Sequence, residues 1–451
     1  MKRAIAYFIL RVGVNLTTKA QGHKEIVKSK WLIAIEYFNI EFREWENPLR
    51  YRFLLLIILG LIVLTGCSPK DGEKISEPQP QSIQGQILVW HSFDGQIQEM
   101  MQDSLNDYMR IYPNVRIVSE YIPSDQLDQQ FRKQVKRGLG PDFLFTASGM
   151  IPSLVQDNLI PVIRDFDFSG YLPTAISHVR YQGKMYGIPT SVMTQTLCYN
   201  KKKVKLPPKT LTELLQQAKT GYSVGIWSNF IATFWGVQVF GGKSFDLQGN
   251  FIFDQKSWAK WMDWLKIAQN EPNMVFSDSI EGLEQGFTNN RLAYVFCDSS
   301  QFTKYSQALG KDNLGVALLP GEADNPAGPF LYSRVILFNQ MSSPQQQQLA
   351  LKLAEFFTNP EQTRKRLSLL EGSFIPADNN VNVNSRLFPR EAILVQQSKT
   401  AIAIPLDQVE SARVWAKTGN NLYPQVLAGS ITPEDAAAQI TETVNQKSSQ
   451  P

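Results

Sequence analysis

Histidine and cysteine are scarce in this chain: 451 residues contain three of each. The histidines, His23, His91 and His178, stand far apart, and no HExxH or CxxC pattern brings metal ligands together. No metal site is therefore expected. One-sided charge is missing too, with 45 Lys and Arg against 41 Asp and Glu and a formal balance of +4. That small excess implies no nucleic-acid surface. A nucleotide cradle is also absent, because the lone GGKS at Gly241 to Ser244 lacks the earlier glycine of a P-loop and precedes a turn. No cofactor is expected. What remains is an ordinary globular composition, 43% hydrophobic and 19% charged.

Long apolar runs are few, and the one at Phe53 to Leu64 is preceded by Arg50 and Arg52 and followed by small residues and Cys67. It is shorter than the roughly twenty residues a spanning helix needs, and it has the layout of a signal peptide. Leu64-Thr65-Gly66-Cys67 resembles the lipobox of bacterial lipoproteins, in which the cysteine thiol receives a diacylglyceryl group and becomes the mature N-terminus. Two acyl chains suffice for stable anchoring. The competing reading is a buried helix that happens to end at Cys67. The following SPKDGEKISEPQPQSIQ is too poor in apolar groups to offset its ordering entropy and reads as a tether. The residues ahead of the run fit no short n-region. A misassigned start is expected, with Leu49 as alternative initiator, against the rival of a genuine cytoplasmic extension. The layout is then 1–48 extension, 49–66 signal peptide and 67–85 tether.

From about Gln86 to Gln446 there remain roughly 360 residues, more than one core usually serves, so two lobes are expected. Ile87, Leu88 and Val89 form a short apolar run flanked by Gly85, as a buried strand does. Ile97, Met101, Leu105, Tyr108 and Tyr112 then mark one face of a helix that Pro113 ends. NVRIVSEY reads as a second strand, Leu127, Phe131 and Val135 as a second helix, and PDFLFT as a third strand. This β-α-β-α-β order predicts parallel strands with helices over the faces. Ligands bind beyond the carboxyl ends of such strands, here His91 to Asp94 and Thr146 to Gly149. Ser92 and Asp94 suit a helix cap equally well. Cys198 and Cys297 each lie in an apolar run, either paired in an oxidising compartment or as two buried thiols.

Several segments carry a resemblance: ILVWHSFDG at Ile87, GLGPDFLF at Gly138, YQGKMYGIPTSVMTQTLCYNKK at Tyr181, FTNNRLAYVF at Phe287, LGVALLPG at Leu314, FFTNPEQTRKRLSLLEGSFIPA at Phe356 and VLAGSITPEDAAAQI at Val426. In this order the chain resembles the extracellular solute-binding proteins of the family that includes maltose-binding protein, the receptor components of ABC importers. The resemblance implies an α/β, two-lobed periplasmic-binding-protein type II fold with a hinge and an interlobe cleft. The N-lobe would be 86–192 with 320–375 and the C-lobe 193–319 with 376–446. It also implies a monomer that is no enzyme, works outside the cytoplasmic membrane and delivers a solute to ABC permease subunits.

The same resemblance implies a site. Ser92, Phe93 and Asp94 occupy the loop that reaches hydroxyls in sugar-binding relatives. Thr146 and Ser148 sit where a stacking tryptophan often stands, and its absence weighs against a linear maltodextrin. Met193 falls where relatives often carry an acid. Trp227, Asn229, Asp298 and Ser299 join from the C-lobe, with Tyr332 and Trp415 as further rings. Aromatic faces for pyranose CH groups and Asp, Asn and Ser for hydroxyls suit a sugar. Trp258, Trp261, Met262 and Leu265 share a helical face and belong to the core, and Phe234 and Trp235 read as packing. The alternatives are a receptor for glycerol phosphate, a polyamine or another small polar solute, with Arg334 as the candidate for phosphate, a signalling lipoprotein that keeps the cleft, and a secreted glycoside hydrolase working through Asp94 and Asp298.

Overall fold

In a computed structural model of the chain, the described residues are 83–322, 324–370, 372–381 and 384–448. The apolar run, the lipobox, the tether and the proposed start all lie outside them, except for the tether's last residues. Ile87 and Val89 are fully buried in β1 (Gly85–His91), which pairs in parallel with β2 (Val115–Tyr121) and β3 (Phe143–Ala147). The helix Gly95–Ile111 buries Met101, Leu105 and Tyr108, and the helix Ser124–Val135 buries Leu127, Phe131 and Val135. The β-α-β-α-β reading therefore holds, as apolar periodicity requires.

A hairpin of β4 (Arg180–Tyr181) and β5 (Lys184–Met185) turns through Gln182 and Gly183, both at positive φ, the two-residue turn whose twist matches antiparallel strands. It leads into β6 (Ile188–Asn200), the strand around which the sheet is organised. Four strands follow: β7 (Val224–Trp227), β8 (Met274–Ser277), β9 (Tyr294–Asp298) and β10 (Leu314–Ala317). The set is completed by β11 (Phe330–Phe338), β12 (Ile375–Pro376) and β13 (Ile402–Ala403), the last beside β11. The sheet runs in the order β2-β1-β3-β11-β6-β9-β7-β8.

Along β6 the partners change. Ile188 to Thr194 pair with β11, and Val192 and Ser191 also pair with β12. From Gln195 onward the strand pairs with β9, and Leu197 to Asn200 also pair with β10. One strand thus belongs to both ends of the sheet, and its partners switch between Thr194 and Gln195. The chain beyond β10 keeps contact with the β7 end, with Gly321 bridged to Thr210, until β11 begins at Phe330. After β12, Asp378 bridges to Tyr171 on the β1 side.

Separate cores sit at the two ends. Ile87, Leu105, Phe143, Phe338 and Phe357 share one; Trp235, Trp258, Trp261, Met262 and Leu265 share the other. Phe234 and Trp235 are packing residues there, both buried. Cys198 of β6 and Cys297 of β9 are joined as a disulfide with a Cα separation of 5.8 Å, which settles the open choice for these thiols.

Candidate functional site

Two hollows adjoin the place where β6 changes partners. The larger, a cleft of about 610 Å³, is lined from both ends of the sheet. Six of the expected residues meet in it: Ser148, Trp227, Asn229, Asp298, Tyr332 and Trp415.

Each is placed by local structure. Trp227 ends β7 half-exposed, its indole N–H donating to the Asp278 carbonyl at 3.2 Å. Asn229 Oδ1 accepts from the backbone N–H groups of Ile231 and Ala232, both at 3.0 Å, which fixes the turn after the strand. Asp298 ends β9 and caps the short helix that follows, accepting the Ser300 N–H at 2.9 Å. Its other oxygen accepts the Tyr332 hydroxyl at 2.8 Å. Burial, then the Asp298 charge, holds the Tyr332 phenol well above its ordinary pKa, so it remains a donor. Trp415 is only 2% exposed, its ring packed among Phe230, Phe234 and Phe251. It backs the cleft wall instead of standing free in it.

The cleft also takes residues that motif reading did not single out: His178, Gln195, Arg413 and Asn420. Arg413, on the long helix Val409–Leu427, donates to the Gly149 carbonyl at 2.6 Å beside the end of β3 and pairs with Glu410 at 2.8 Å. His178 Nδ1 meets Ser333 Oγ at 2.9 Å, while its Nε2 is buried with no partner among the described residues. Burial lowers its pKa to about 4, so the ring is neutral. Gln195 donates to the Ala232 carbonyl at 3.2 Å. No local pattern marks these residues, because they are brought together by the sheet and the C-terminal helix.

Phe93, Met193 and Ser299 line the second, smaller hollow instead, together with Arg334. The remaining expected residues line neither. Ser92 donates to the Ile122 carbonyl at 2.7 Å, Thr146 Oγ1 contacts the Met150 sulfur, and Asp94 is exposed at the start of the first helix without making a side-chain cap.

A profile of the family described as bacterial extracellular solute-binding protein matches residues 105–385. Among characterised relatives, a maltotriose-binding protein of Pyrococcus abyssi is 29% identical over 175 residues, 36% of this chain and 38% of that protein, so the match spans well under half of that relative. A galactooligosaccharide-binding protein of Bacillus subtilis is 23% identical over 420 residues, 87% of this chain and 95% of that protein. Among solved structures, the maltose/maltodextrin-binding domain MalE of Bdellovibrio bacteriovorus bound to maltotriose aligns with a TM-score of 0.70 at 18% identity, covering 81% of this chain and 100% of that one. The GacH receptor of Streptomyces glaucescens aligns at 0.71 and 16% identity, covering 80% and 98%. These likenesses give the fold, the two-lobed α/β architecture of the maltose-binding type.

Proposed function

We propose, from the premise that the chain belongs to the bacterial extracellular solute-binding protein family, that it captures a carbohydrate outside the cytoplasmic membrane and passes it to the permease subunits of an ABC importer. It is a binding protein and not an enzyme. The observation that carries the carbohydrate reading is the half-exposed Trp227 ring facing a cleft of about 610 Å³ whose other walls hold Asn229, Asp298, Ser148 and His178. A ring for the apolar face of a sugar and several fixed polar groups for its hydroxyls is the recognition chemistry a pyranose needs. The names of the relatives, which bind maltotriose and galactooligosaccharide, support the same class.

The two ends of the sheet are the lobes in this reading, near the expected 86–192 with 320–375 and 193–319 with 376–446, and β6 is one of the strands that flex. Closure over the guest is a hinge motion, and the guest must hold the closed form more tightly than the open one. The hydrolase alternative finds no support, since Asp94 lies outside the cleft and both oxygens of Asp298 are engaged.

Thermal unfolding against a panel of oligosaccharides, monosaccharides and polyols tests the reading. Binding raises stability as RT ln(1 + [L]/Kd), about 2.7 kcal/mol at a hundredfold excess over Kd. A flat response to every sugar would refute it. The acyl anchor at Cys67 and a monomeric state belong to the same proposal. Cys67→Ser should release the protein from membranes, and unchanged membrane association would remove the anchor from the account.

A further inference from the structure

The smaller hollow, of about 60 Å³, has a chemistry of its own. Two guanidinium groups line it, Arg334 from β11 and Arg366 from the helix Pro360–Leu369. Arg366 is 3% exposed. Its guanidinium reaches the Phe357 carbonyl, the Thr363 hydroxyl at 3.1 Å and the face of the Phe357 ring at 4.0 Å. Arg334 stands over the Phe93 ring at 5.1 Å. Among the described residues neither arginine forms an ion pair with a carboxylate, and no acidic side chain lines the hollow.

A guanidinium taken out of water without a counter-charge is costly, so a buried arginine ordinarily has one. Here the carbonyl, the hydroxyl and the aromatic face satisfy part of the donor set but supply no negative charge. The hydroxyls of Ser191 and Ser299 point to a missing acceptor as well. Among the described residues each meets only the Met193 sulfur, at 3.8 and 3.6 Å, and thioether sulfur is a weak acceptor. Both hydrogens are free to turn to an oxygen with negative charge. Ser299 follows β9 while Arg334 lies on β11, so a group seated between them touches both ends of the sheet. The volume holds a few waters or one small oxyanion, and it is too small for a pyranose ring.

We propose that this hollow binds a single oxyanion group, a phosphate, sulfate or carboxylate, held by Arg334 and Arg366 and by the Ser191 and Ser299 hydroxyls. Guanidinium forks match such groups in charge and geometry. The anion comes either free from solution or as the acidic substituent of a larger solute that extends from the cleft. The site does not depend on the carbohydrate reading.

Calorimetric titration of the full chain with inorganic phosphate, sulfate, a hexose phosphate and a hexuronate, at constant ionic strength in chloride, tests it. Saturable binding of inorganic phosphate or sulfate identifies a free anion as the occupant; binding of the hexose phosphate or hexuronate alone identifies an acidic solute. In either case Arg334→Gln should weaken binding about tenfold or more, the scale of one charge-assisted hydrogen bond, while Arg334→Lys retains part of it. Arg334 is half-buried at the rim, so its variants should keep the unfolding midpoint measured without anion. If Arg334→Gln fails to fold, the lysine variant and the wild type carry the comparison. No saturable binding of any of the four anions, or equal affinity in wild type and Arg334→Gln, would overturn the proposal.

Discussion

Tyr332 donates its hydroxyl to Asp298 Oδ2 at 2.8 Å, and the bond ties β11 to the end of β9 at the edge of the cleft. Asp298 is thereby oriented from two sides, since its other oxygen accepts the Ser300 N–H. Tyr332→Phe removes one support and leaves the carboxylate free to rotate. Ligand affinity should fall about fivefold to tenfold, the scale of one hydrogen bond near 1 kcal/mol, with the fold intact. Calorimetric titration with a sugar that stabilises the wild type gives the comparison, and unchanged affinity would separate this pair from recognition.

Trp227 and Trp415 both line the cleft, yet their substitutions should have opposite signatures. Trp227 is half-exposed at a strand end, so Trp227→Ala should leave stability within about 1 kcal/mol and weaken sugar binding. Trp415 is buried against Phe230 and Phe251, so Trp415→Ala opens a cavity and should cost about 3–5 kcal/mol. Denaturant unfolding and a binding titration on each variant distinguish the roles.

Two buried groups set opposite pH slopes. Burial lowers His178 to about 4 from its ordinary 6.5, so the unfolded chain takes up the proton first and this contribution is lost as pH falls from 6.5 to 4. Burial pushes Glu391 up to about 7 from 4.5, so its contribution is present below 4.5 and lost as pH rises to 7. Between those limits the slopes offset each other. Glu391→Gln should therefore stabilise the protein at about pH 8, where folding must keep a charged carboxylate in a desolvated place, by on the order of 1 kcal/mol once solvent screening is allowed for. At about pH 4 it should change little. Urea midpoints at the two pH values check it; equal effects at both would contradict the assignment.

Much of the first lobe was legible because each element there is short-range. Ile87 and Val89 in an apolar run, and Met101 to Tyr108 at helical spacing, dictate a buried strand and its covering helix. Capping chemistry was less evenly readable: Asp94 suits a cap but makes none, whereas the Thr210 side chain accepts the Glu213 N–H at 3.1 Å and Asn359 accepts the Gln362 N–H at 2.8 Å. The site was legible only where a residue ends a strand, as Trp227 and Asp298 do. His178, Arg413 and Asn420 reach the cleft through tertiary folding alone. Phe93, placed by resemblance in the sugar loop, instead packs on Phe145 with Arg334 above it. Arg366 lies in the charged stretch Arg364-Lys365-Arg366, and nothing in that local pattern marks it off from its neighbours; only the packed helix reveals that this cation is buried.

The central claim is that lobes joined through β6 close over an intact sugar. Small-angle X-ray scattering on the protein with and without a saturating sugar tests it most directly. The account predicts a smaller radius of gyration with the sugar bound, and recovery of the sugar unchanged. The same radius in both states under confirmed saturation, or a cleaved sugar, would contradict it.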